Sequence, residues 1–195
     1  MNAYKQHFLR MAIYNRWAFR QLYNKLNEHI SDENYHANSS LFFRSIHGTL
    51  VHLLLSNKIW HARLTNPSLF PLNDEQYPFE LNSYWFRSAN DLEQAVTNRK
   101  DLHQRIFIEC DRLIDYIKQL NSESLMMEES FTYFDIKGKT CKRNRAEALD
   151  HIFNHNTHHR GQITGAITKY GGRDASPVLD LVAMPADEYN MINST

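Results

Sequence analysis

Four long stretches of this chain place apolar residues three and four apart, and little else in it is periodic; a set of packed α-helices is therefore the expected architecture. The first stretch runs from about Tyr4 to His29, with Phe8, Met11, Ile13, Tyr14, Trp17, Leu22 and Leu26 mostly on one broad stripe, and stops before a turn-prone SDEN. The second, about Leu41 to Leu64, is apolar over much of its circumference, as a helix buried on two sides must be, and TNPSLFP ends it. The third, about Asn90 to Leu120, opens with Asn90 and Glu93 at capping-box spacing and carries Leu102, Ile106, Leu113, Ile114 and Ile117 on one face. The fourth begins at Asn144, with Glu147 three residues on, and runs to Tyr170 before Gly171 and Gly172. Antiparallel packing of four such helices predicts an all-α four-helix bundle, and with no Pro/Gly/Ser-rich divider we expect residues 1–195 to form a single domain. SFTYFDIKGKTCKR alternates weakly around a glycine, which predicts a short hairpin or irregular segment near residues 131–141.

Charge narrows the partners. The 22 Lys+Arg balance 22 Asp+Glu, so no overall field gathers nucleic acid or an anionic membrane, and the basic run KGKTCKRNR reads as a solvated edge. The N-terminal residues lack a signal-peptide h-region, and no apolar run reaches the roughly 20 residues of a membrane span, so a soluble, cytoplasmic protein is expected. The two cysteines lack C-x-x-C spacing; Cys110 falls among core apolar residues, and nothing in the sequence places a base beside Cys141.

The unusual composition lies in DHIFNHNTHHRGQI, residues 150–163, which holds four of the eleven histidines. On a helical wheel the apolar stripe of this segment is set by Leu149, Ile152, Phe153, Ile163, Ile167 and Tyr170. His159 falls within it, His155 at its edge, His151 further round and His158 nearly opposite. His155 and His159 are one turn apart on one face, the spacing that lets two imidazoles share a metal ion. A third ligand must come from another helix. The second stretch supplies His47, His52 and His61, and there the wheel does not decide: His47 sits on the main stripe, His52 on a second stripe with Leu55 and Ile59. His47 and His52 point about 140 degrees apart, so one ion cannot use both.

The segments TLVHLLLSNKIWHARL, FNHNTHHRGQI, MAIYNRWAFRQLY and DLVAMPADE together resemble the DinB family, within the DinB/YfiT-like superfamily of four-helix metalloproteins. The specific part is His-x-x-x-His-Arg-Gly-Gln with a distant His-x7-Trp. In that family one histidine of the second helix and two of the fourth bind a divalent metal; by position the resemblance implies His52, which stands eight before Trp60, with His155 and His159. One departure is Asn57, where the resemblance leads us to expect Asp, so a carboxylate partner for a ligand or substrate is missing.

Three neutral imidazoles leave a coordination position open, with zinc and nickel both suited to the donors. Retention of the ion should weaken between about pH 6 and 7, where ordinary imidazoles gain protons. The resemblance implies metal-dependent chemistry on a small molecule, with transfer of a low-molecular-weight thiol ahead of hydrolysis; a non-catalytic metal-binding stress-response module is the alternative outside enzymology. Partners that orient the imidazoles are sought among Asn57, Asn154, Asn156 and Gln162, and Arg160 is expected to meet either an anionic substrate or a carboxylate across the bundle. Trp17, Trp60 and Trp85 are candidates for lining a substrate pocket, and a homodimer is expected from family relatives.

Overall fold

A computed structural model describes residues 3–71, 81–125 and 129–193. Each of the four periodic stretches contains one long helix: α1 (Ala3–His29), α3 (Ile46–Thr65), α5 (Arg99–Gln119) and α6 (Arg145–Gly171), with short helices α2 (Asp32–His36), α4 (Ala89–Glu93) and α7 (Ala186–Asn193) between and after them. α1 and α3 each pack against both α5 and α6, so they occupy opposite corners of an all-α bundle. Strands β1 (Ser130–Phe134) and β2 (Thr140–Asn144) form an antiparallel hairpin with Ser130 opposite Asn144 and Phe134 opposite Thr140, at the place the weak alternation indicated. Its turn closes on the Asp135 carboxylate, which accepts from the Lys137 and Lys139 amides, and on Gly138 at φ 77°. A Cβ at Gly138 would sit 2.9 Å from the Phe70 ring.

Two helix starts differ from the sequence reading, for local reasons. The second long helix begins at Ile46 rather than near Leu41, because the Ser45 hydroxyl caps it by accepting from the Gly48 amide while Arg44 turns back at φ 69°. That turn leaves Phe43 facing inward instead of on a helix. The third stretch is two helices: α4 is held by a capping box between Ser88 and Asp91, not by Asn90, and α5 starts afresh where the Asn98 side chain accepts from the Asp101 amide. Buried Ala95 and Val96 fill the corner between them. Asn144 caps α6 as expected, accepting from the amides of Ala146 and Glu147, and Gly172 at φ 79° follows its end.

Among the described residues the core is two large apolar clusters along the bundle and a small third one of Tyr14, Trp17 and Ala18. One contains Phe19, Leu22, Leu50, Leu54, Ile106 and Ile163; the other contains Phe8, Ile13, Leu113, Ile114, Leu149 and Phe153. Between these clusters α6 is polar, with Asn156, His159 and Arg160 buried, and α1 adds the buried Asn15 beside Tyr14, Trp17 and Ala18. Such a layer is costly unless every group in it is occupied. In this chain it is where the histidines converge.

Candidate metal centre

His155 and His159 project from consecutive turns of α6 toward α3, which presents His52 from its middle. The Nε2 atoms of His52 and His155 approach to 3.0 Å, and one ring nitrogen from each of the three residues lies within 4.8 Å of the others. A tetrahedral ion with metal–nitrogen distances of ~2.0–2.1 Å holds its ligand nitrogens about 3.3 Å apart, so small side-chain rotations bring the three onto such an ion. His52 and His159 are buried and His155 is half-buried. The wheel's order for α6 is reproduced: His151 and His158 are exposed. His47, on the main stripe of α3, points elsewhere, its Nε2–H 3.3 Å from the Glu93 carbonyl.

All three imidazoles are held neutral. Burial, and then the neighbouring His155 and His159 rings, push His52 down to about 2. Burial and the rings of His159, His151 and His158 push His155 down to about 3. His159 is also lowered, chiefly by burial, with Gln162 opposing the shift. A cluster of neutral rings keeps its lone pairs for a cation, which is the charge state a metal site needs.

Of the four candidate partners, Gln162 reaches one of the three histidines. His159 Nδ1–H donates to Gln162 Oε1 at 2.8 Å, which leaves the lone pair on Nε2, and Gln162 Nε2 donates to His158 at 3.0 Å. Asn57 and Asn156 instead bond each other, at 3.1 and 2.8 Å, and so clamp α3 to α6 close to the site. Asn154 is exposed. Arg160 meets neither a carboxylate nor the open site: it is buried, donates to Asn15 Oδ1 and Thr157 Oγ1, and lies against the rings of Tyr14 and Phe19. Its expected role is corrected to bracing α6 against α1, because the polar layer offers it amide and hydroxyl acceptors from both helices.

Aromatic rings wall the histidines. Phe43 stacks on His52 with centroids 3.8 Å apart and touches His159, and Trp85 lies 5.6 Å from His52. Trp85 is about half exposed, so it can border an entrance; Trp17 is a core residue, and Trp60 packs against His151 and Tyr133. Sequence reasoning misses Phe43, because the apolar pattern from Leu41 to Leu64 carries a regular helix through its position. Cys110 is buried, which raises its thiol to about 12, and Cys141 is half-buried on β2. Among the described residues no helix is long and apolar enough to cross a membrane.

A helical bundle that gathers three neutral imidazoles from two of its helices belongs to the class of bundles able to bind a metal in their interior. The sequence profile of the DinB family matches residues 1–188, and the chain belongs to that family. A curated relative is Protein DinB of Bacillus subtilis (strain 168), 27% identical over 158 residues, which span 81% of this chain and 83% of the relative. No solved structure matches the chain significantly.

Proposed function

We propose that His52, His155 and His159 hold one divalent metal ion and that the chain uses it on a small molecule. The observation that carries this reading is the convergence of the three ring nitrogens within 4.8 Å, with the second nitrogen of His159 already committed to Gln162. Zinc and nickel both suit the donors. When bound, such an ion supplies a Lewis-acidic centre with a position left for water or a thiolate. The chain's own part is to keep the rings neutral by burial, to orient His159 through Gln162, and to exclude water with Phe43 and Trp85.

Thiol transfer is favoured over hydrolysis by the donor set. Among the described residues no Asp or Glu oxygen joins the three nitrogens to serve as a carboxylate base. Glu93, on the other side of α3, is engaged by Arg44 and Ser45. The reading carries with it a low-molecular-weight thiol as cosubstrate, a cytoplasmic setting and a homodimer, all from the family resemblance. Elemental analysis of protein made without a histidine tag should find one divalent ion per chain, and absence of stoichiometric metal would refute the site. In an assay panel, electrophile consumption that depends on added thiol supports transfer. Turnover of esters or amides in water alone replaces it with hydrolysis, and metal-loaded protein inert to both is a binding module.

A further inference from the structure

A second group of polar side chains lies where α2, the start of α5 and the first turn of α3 meet, and the histidine site makes no use of it. Here a groove of about 630 Å³ is lined by Asn27, His36, Asn98, Arg99, Lys100 and His103, with Asp32 at its rim. Its floor continues inward: Tyr35 lies 4.4 Å beneath the Arg99 guanidinium, His47 packs on both Tyr35 and His36, and Tyr23 packs on His103. Tyr35 and His47 are fully buried and Tyr23 nearly so.

The hydrogen-bond inventory of this group is incomplete among the described residues. Arg99 uses Nη1, which donates to the Ile30 carbonyl at 3.0 Å and the Asp32 carboxylate at 3.1 Å. Its Nε and Nη2, the side-on fork that fits two oxygens of one anion, are buried with no partner among the described residues. The hydroxyls of Tyr23 and Tyr35, His47 Nδ1 and His103 Nε2 are in the same state. Buried polar groups are rarely left so, and a concentration of them around one guanidinium calls for a bound species. Its sign follows from the neighbours. Burial holds His47 and His103 neutral, Lys100 adds a cation at the rim, and the groove opens at the positive end of the long helix α5. The one carboxylate at the rim, Asp32, is already taken by Nη1.

We propose that this groove is a second binding site, for the oxoanion group of a small molecule, a carboxylate or a phosphate, seated on the Nε/Nη2 fork of Arg99 with the Tyr35 hydroxyl donating from below. It is separate from the histidine centre, since His47 and His52 point to different sides of α3. The test is a titration of the metal-loaded full chain, labelled with ¹⁵N, in which the Arg99 Nε–Hε cross-peak is followed at constant ionic strength. Sodium acetate and inorganic phosphate form separate arms, with sodium chloride as reference. A saturable shift with acetate assigns a carboxylate, and one with phosphate alone assigns a phosphate. Tyr35→Phe keeps the ring and should weaken that binding roughly tenfold, the loss of one hydrogen bond to a charged group. Arg99→Lys removes that reporter, so there, and in the unaltered protein for comparison, the backbone amide cross-peaks of Asn98 and Lys100 are followed; saturation should be abolished, because an ammonium lacks the fork. A shift linear in both anions and equal to that with chloride overturns the proposal, as does saturation with the same affinity in both variants.

Discussion

Replacing Gln162 by Leu keeps a side chain of similar size on α6 and removes only the acceptor that faces His159. In the present geometry His159 Nδ1–H donates to Gln162 Oε1 at 2.8 Å, and this bond decides which ring nitrogen presents a lone pair to the ion. Without it the ring is free to change tautomer and to turn, and loss of such an outer partner typically costs about 10- to 100-fold in metal affinity, or roughly 1.4–2.7 kcal/mol. The bond from Gln162 Nε2 to His158 is lost as well, but His158 is exposed and water replaces that donor. Competition for zinc against a chromogenic chelator at neutral pH reads the affinity, and a urea titration of the metal-free protein checks that folding is unchanged. Gln162→Glu should move affinity the other way, since a carboxylate accepting from Nδ1–H makes the ring a better donor to the metal. If Gln162→Leu binds zinc within twofold of the unaltered protein while His159→Ala does not bind, orientation by Gln162 is wrong and the ring is positioned by packing alone.

Ala at His52, His155 or His159 should each abolish stoichiometric metal binding, whereas Ala at His47, His151 or His158 should retain it; elemental analysis after dialysis distinguishes the sets, and retention by His52→Ala would break the assignment. The metal-free protein should lose stability as pH falls below about 6.5, because unfolded histidines take up protons there while the folded state holds His47 down to about 4 and His103 and His155 to about 3. Each such residue costs up to about 1.4 kcal/mol per pH unit between its unfolded and folded values, so urea midpoints should hold near pH 7.5 and drop steadily from about pH 6.5 to 5, and a flat profile would contradict the neutral cluster. By the same shifts, metal retention should persist to lower pH than the 6 to 7 expected of ordinary imidazoles, read by metal content after equilibration at stepped pH. Gly138→Ala should lower the melting temperature, at a cost of about 1 kcal/mol or more, since φ 77° strains an L-residue and its Cβ would crowd Phe70.

Helix identity was legible in the chain because amphipathic periodicity is a local property: the stripe of Leu149, Ile152, Phe153 and Ile163 marks the buried face of α6 whatever packs on it, and that face alone orders His159, His155, His151 and His158 from buried to exposed. The cap at Asn144 was legible as well, because Glu147 three residues on gives it capping-box spacing. The third candidate ligand was not. α3 is apolar on nearly all sides, so its own pattern cannot say whether His47 or His52 faces α6; family resemblance selected His52, and the packing of α3 against α6 brings that ring to His155. The breaks at Arg44 and at 94–98 were equally hidden, because they depend on Ser45, Ser88 and Asn98 winning backbone amides from helices their apolar neighbours could have continued. The surroundings of the site were decided last and farthest from local sequence. Phe43 meets His52 only because a turn and a helix fold over each other, and Arg160 finds Asn15 across 145 residues of chain, since a buried guanidinium is satisfied by whatever acceptors the assembled bundle offers.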